Sequence, residues 1–217
     1  MGYSPCRLED EEVIVKPFVS FLVPVVALAL VNPAAAKKNN PNLSLDFRPQ
    51  QSVAVVVPSL SGEMLDKTVA LEFVDKRRGD EPMKIGMRGD DDDRRHELHA
   101  TSDVGEFVQK HFIETANDWG IEFDSESELT LEVELIEVNL METNQAVGAT
   151  YNATVRLAYS LRQGSSEPRA AGSIPGDATR YGKKFSNENL NEVLSDAMLE
   201  AFADLFSDSA LQRAWGE

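Results

Sequence analysis

Cysteine is almost missing from this chain. The single one, Cys6, lies upstream of the only long apolar stretch. A lone thiol there excludes a disulfide framework and a thiolate metal site. Basic residues are also scarce. Of the net charge of −16, only Arg7, Lys16 and the acidic run Glu9–Glu12 lie before residue 37, so the remainder carries −14. A body of that charge is repelled by phosphate backbones and anionic lipid surfaces, which argues against nucleic acid as a partner. Catalytic signatures are missing too: there is no G-x-S-x-G, no P-loop and no G-x-G-x-x-G. His96-Glu97-Leu98-His99 is one spacing short of the H-E-x-x-H of a zinc protease.

What is present first is an export signature. Phe18–Val31 is apolar except for Ser20 and Pro24, and it follows Lys16. Asn32 and Pro33 break the run, and Ala34-Ala35-Ala36 supplies the small residues that signal peptidase needs. The run is too short for the roughly 20 residues of a bilayer-spanning helix. Cleavage between Ala36 and Lys37 is therefore expected, leaving no stable membrane span. An uncleaved anchor and a buried core element are the competing readings. Glu9–Glu12 put negative charge where a positive leader is expected, which points to a translation start further in, for example at Val13. Residues 37–51, with their Asn, Pro and Lys, read as a linker, and 52–217 as a single domain.

Within the domain, Ser52–Val57 is a β-branched run ended by Pro58, which predicts a buried strand. Val69, Leu71 and Phe73 alternate with Ala70 and Glu72 and predict a half-buried one. Residues 75–103 are rich in Gly, Asp and Arg and read as a long polar loop, with a short strand at Lys84–Met87. Asp103 with Glu106 forms a capping box for a helix whose stripe runs from Val104 through Phe112 and Ala116 to Trp119, and Gly120 stops it. Leu129, Leu131, Val133 and Leu135 alternate, and the parity then shifts to Ile136, Val138 and Leu140. This predicts a β-bulge at Leu135-Ile136. Tyr151–Leu161 alternates as well, and a return segment, Arg169–Tyr181, carries Gly172, Pro175 and Gly176 and should pair irregularly. Leu190–Phe206 bears a wide apolar stripe with Ser186 or Asn187 as its cap. The expected fold is α+β, an antiparallel or mixed sheet with two helices on one face.

The stretch TYNATVRLAYSLRQG, its return strand and YGKKFSNENLNEVLSDAMLEAFADLFSD resemble the C-terminal half of the YajG-like family of bacterial envelope lipoproteins. DKRRGDEPMKIG resembles that family's "D-x-R … I/V-G" segment, with Asp75, Arg77, Ile85 and Gly86 at the matching places. The likeness covers roughly residues 50–212. It implies a compact α+β domain on the periplasmic side of the outer membrane, with no catalytic residues to carry over. Lys37 stands where the family's lipid-bearing cysteine would be, so residence in the periplasm without a lipid anchor is expected.

Candidate chemistry is thin. Asp90, Asp91, Asp92 and Asp93 offer carboxylates for a cation, but lack the alternating spacing of a calcium loop and read more simply as a solvated run. Asp75 and Arg77 form either a structural ion pair or, with those aspartates, a binding loop. His111 lies on the apolar stripe of its helix and reads as a satisfied core histidine. Tyr151, Tyr159 and Tyr181 either pack or line a groove, and Glu132, Glu134 and Glu137 form an acidic solvent face. No cofactor is implied. The expected function is that of a non-enzymatic periplasmic protein that binds other envelope proteins. The alternatives are a small-molecule or metal-binding module using the 75–103 loop and, last, a hydrolase with a non-standard site.

Overall fold

A computed structural model describes residues 42–50, 56, 58–77, 82–90 and 95–217. The expected export segment with Ala36 and Lys37, most of the strand expected at Ser52–Val57, and Asp91–Asp93 lie outside the described residues.

The sheet is built around one long strand. β5 (Leu129–Asn144) pairs antiparallel with β6 (Ala149–Gln163), which pairs antiparallel with β7 (Ala170–Gly182). The opposite edge of β5 is shared. Its first half takes β2 (Ala70–Asp75) in parallel, and its second half takes β3 (Lys84–Asp90), also in parallel. β4 (His96–Ala100) folds back antiparallel on β3, and the two-residue β1 (Asn42–Leu43) adds parallel to β4. The sheet is mixed and seven-stranded.

Sharing one edge between two strands is possible because β5 changes direction midway. The register with β6 shifts between Leu135 and Glu137, so Ile136 is the extra residue of a bulge, as the parity change predicts. With that residue inserted, Leu131, Val133 and Leu135 before it and Val138 and Leu140 after it all point to the same buried side.

That side is covered by α2 (Val104–Asp118), α3 (Asn187–Ser207) and α4 (Ser209–Gly216), with α1 (Gly62–Asp66) against α4. The caps are those the sequence announces. The Asp103 carboxylate accepts from the Glu106 N–H at 2.9 Å, and the Ser186 hydroxyl accepts from the Asn189 N–H at 3.1 Å. Trp119 closes α2, and Gly120 beyond it takes a φ of +90°, a conformation cheap only for glycine. At the centre the Phe112 ring lies 5.2 Å from Phe202, 5.4 Å from Phe206 and 6.1 Å from Phe73. Every apolar position of the α3 stripe is buried.

Four expectations change. The two-helix estimate misses α4, a separate eight-residue helix capped by Asp208 that buries Leu211 and Trp215. The polar loop over 75–103 is mostly a hairpin, β3 with β4, because Ile85, Leu98 and Ala100 are buried among the charges. The return segment pairs without a break from Ala170 to Gly182. Among the described residues β7 is the last strand in the order, where the donor that Pro175 lacks costs least. Gly176 lets α3 approach: a Cβ there would lie 2.1 Å from the Ala197 carbonyl oxygen. Finally, residues 42–50 of the supposed linker are bound to the body, with Leu43 wholly buried.

Candidate functional site

Of the residues singled out as a binding loop, Asp75 and Asp90 stand at separate places along β5. Asp75 ends β2 opposite Leu135, whereas Asp90 ends β3 opposite Asn144. Those two partners are nine residues apart on β5, roughly 30 Å at strand rise. Asp75 and Arg77 are instead engaged with each other. The Arg77 guanidinium grips both carboxylate oxygens, with Nε at 3.0 and 3.1 Å and NH2 at 2.7 Å, and the Arg77 N–H donates to Oδ1 at 3.0 Å. NH2 also reaches the Pro82 carbonyl at 3.0 Å, tying the end of β2 to the start of the hairpin. Burial pushes the Asp75 carboxyl up, but the Arg77 hydrogen bonds and charge outweigh it and hold it below its ordinary value. Among the described residues no three His, Cys, Asp or Glu side chains cluster as metal ligands.

A buried polar knot, which sequence reasoning missed, sits where the hairpin meets α3. Arg88 of β3 is 2% exposed and Glu142 of β5 is 1% exposed, and their side chains pair at 2.6 Å. Arg88 also donates to the Asn187 side-chain oxygen, Oδ1, at 2.8 Å. The other Glu142 oxygen accepts the Phe185 N–H at 2.6 Å, holding a non-glycine residue at φ +56°. The Tyr151 hydroxyl donates to the Lys183 carbonyl and accepts the Ser186 N–H at 3.1 Å. Burial raises the Tyr151 pKa above its ordinary value. Glu142 does keep the sheet's alternation, but a charged residue at an inward position carries no apolar signal that would mark it as buried.

His111 meets its expectation. Its imidazole is stacked 4.4 Å from the Phe47 ring, Phe107 meets it edge-on, and Nδ1 lies 2.9 Å from Glu114. Desolvation lowers its pKa despite that carboxylate. Tyr159 faces the helices, and burial together with the Asp208 carboxylate pushes its hydroxyl up to about 12. Tyr181 is exposed at the far end of β7.

A cleft lies between α3 and β7. A cavity of about 440 Å³ is floored by Leu199 and Ala203 and rimmed by Asp177, Asp196, Glu200 and Asp204. The rim belongs to a row on α3, since Glu188, Glu192, Asp196, Glu200 and Asp204 follow one another at spacing four, each beside the next as the row winds slowly round the helix. Four of them are engaged, Glu188 with Arg48 at 4.0 Å. Glu192 pairs with Arg180 at 2.5 Å, Asp196 accepts the Gln50 N–H at 2.7 Å, and Glu200 accepts the Asp177 N–H at 2.9 Å. Burial raises the Asp196 pKa, partly offset by that N–H and by Arg180.

The other face of the sheet carries no helix among the described residues. It is polar and self-satisfied. Arg162 bridges Glu72 at 2.6 Å and Glu132 at 3.7 Å, and Arg156 lies 3.5 Å from Glu137. Thr154 donates to Asp177 at 2.6 Å, and Thr179 to Asn152 at 2.9 Å. Glu132 and Glu137 thus form part of a mixed ionic lattice rather than a purely acidic surface.

No family model matches the chain, and no curated protein matches its sequence. Among solved structures it is similar to a Xanthomonas campestris protein assigned to the family DUF330, at 10% identity and a TM-score of 0.50, over 79% of this chain and 94% of that one. It is also similar to a minor lipoprotein from Acinetobacter baumannii, at 10% identity and a TM-score of 0.31, over 68% of this chain and 93% of that one. The second score is too low to carry weight. The first shows that the chain shares the fold of the Xanthomonas protein.

Proposed function

We propose that the protein is a non-enzymatic component of the bacterial envelope, exported to the periplasm, that acts by binding another envelope protein. The observation that carries this reading is the uncovered sheet face. Helices seal one side of the sheet, while the other presents a broad polar surface whose charges pair with one another and converge on no cleft. Catalysis needs acid, base and nucleophile gathered around one reacting position. Here the groups with displaced pKa values sit apart, on β2, β4, α2, β6 and α3. The apolar stretch ending at Ala36 and the likeness to YajG-like lipoproteins support envelope residence.

Cross-linking in cells that express the full chain with a C-terminal tag tests the reading. We expect the protein in the envelope fractions, joined to one partner at near-stoichiometric yield. Reversing two charges of the bare face, with Arg156→Glu and Arg162→Glu together, should remove that partner while the melting temperature stays within a few degrees, because exposed pairs contribute under about 1 kcal/mol each. Recovery in the cytoplasm, or a partner retained by the double variant, would overturn it.

A further inference from the structure

Residues 42–50 form a strap across the helices. Only Asn42 and Leu43 pair with a strand. The strap nevertheless keeps strand periodicity: Leu43, Leu45, Phe47 and Pro49 turn toward the body, while Ser44, Asp46, Arg48 and Gln50 are exposed. Successive backbone groups along one edge of a strand point the same way at every second residue. On this edge α3 supplies side chains where a neighbouring strand would stand. Asn191 receives two of the strap's groups, its Nδ2 donating to the Ser44 carbonyl at 3.0 Å and its Oδ1 accepting the Asp46 N–H at 3.3 Å. Ser195 Oγ accepts the Arg48 N–H at 2.8 Å, and Asp196 accepts the Gln50 N–H at 2.7 Å.

All of these bonds go to backbone, so the row reads an extended chain without reading its sequence. Selectivity is left to the inward side chains, above all Phe47 on His111, and to charge. Arg48 is shared between Asp46 at 2.5 Å and Glu188 at 4.0 Å, at the head of the carboxylate row. We infer that this face of α3 is a recognition site for an extended polypeptide, occupied in cis by Asn42–Gln50 and opened to a partner segment of the same pattern: apolar residues at alternate positions with a basic residue among them.

The inference deepens the reading of a protein that acts by binding, and rests on it. Leu43 and the β1 pairing anchor one end of the strap, but hydrogen bonds near the surface are weak ties, so residues 44–50, held by four of them and one stacked ring, open far more readily than the sheet unfolds. While it is seated, the strap lowers the apparent affinity for any competing segment by the fraction of time it is open.

The probe is a fluorescein-labelled peptide with the sequence of residues 42–50, titrated into the full chain. Phe47→Ala weakens the strap without touching α3, and should bind the peptide at least about tenfold more tightly than the unaltered chain. Adding Asn191→Ala and Ser195→Ala should abolish that gain. In the unaltered chain, the amides of Arg48 and Gln50 should exchange with solvent at least about 100-fold faster than those of β6. The inference is overturned by a folded Phe47→Ala chain that ignores millimolar peptide, by binding that survives loss of Asn191 and Ser195, or by strap amides that exchange only on global unfolding. An envelope partner still captured through the bare sheet face would in that case leave the broader reading standing.

Discussion

The two halves of β5 are one continuous strand, yet they are built on different chemistry. Leu129–Leu135 is apolar on its buried side and packs under the Phe112 cluster, with β2 alongside. Val138–Asn144 starts the same way, but then buries Glu142 and Asn144, with β3 alongside and Arg88 facing Glu142. The first half is held by non-directional burial, which tolerates many sequences. The second is held by directional, charge-assisted bonds that fix the hairpin, β5 and the entry to α3 in one arrangement. A buried ion pair is a poor source of net stability but a demanding one to break, because either partner alone is a desolvated charge.

The largest effect should come from erasing the boundary between the halves. Deleting Ile136 removes the bulge and turns Val138 and Leu140 to the solvent face, or forces the first half to turn instead. The loss should exceed about 4 kcal/mol and appear as collapse of the cooperative thermal transition. A deletion variant that melts normally would mean that the halves are not locked in phase.

Next in size is the polar half on its own. Arg88→Met should cost about 3–5 kcal/mol in urea unfolding, because Glu142 keeps the Phe185 N–H but loses its counter-charge. Adding Glu142→Leu should recover a substantial part of that loss rather than add to it. Additive losses would show that the pair is not the unit that distinguishes this half.

The smallest effect belongs to the Asp75–Arg77 corner, where β2 leaves the apolar half. A carboxyl held below its ordinary value contributes stability that is complete above that ordinary value, 3.8, and is lost as pH falls through the lowered one. Arg77→Ala should therefore flatten the acid limb of stability below about pH 4, with a cost of under about 1 kcal/mol at neutral pH. NMR titration of the Asp75 carboxyl should show its pKa rising in the variant. An unmoved value would remove Arg77 as the cause.

The same contrast governs what could be read from the residues. The bulge, both caps, the α2 stop and the α3 stripe were legible because apolar periodicity reports burial directly. Of the hairpin at 84–100, the residues show only the short strand at Lys84–Met87 within a polar loop, because its burial rests on Ile85, Leu98 and Ala100 spread among charges. The strap carried a usable signal, Leu43, Leu45 and Phe47 at alternate positions, but its Asn, Pro and Lys neighbours outweighed it. The return segment's Gly172, Pro175 and Gly176 suggested irregular pairing, although Gly176 serves instead to admit α3. Of the candidate residues, Asp75 and Arg77 proved to be partners of each other, and Asp90 lies at another end of the sheet.

Composition and periodicity by themselves determined the acidic character, the α+β class, the caps and the point at which β5 changes phase, since each depends on neighbours in the chain. Only the tertiary structure decided that Arg88 meets Glu142 across 54 residues, that α3 completes the edge of a strap about 147 residues away, and that the described helices all lie on one face of the sheet. A polar side chain is compatible with water or with a buried partner, and its own sequence neighbourhood does not distinguish them. That choice is made by whichever element the fold brings opposite it.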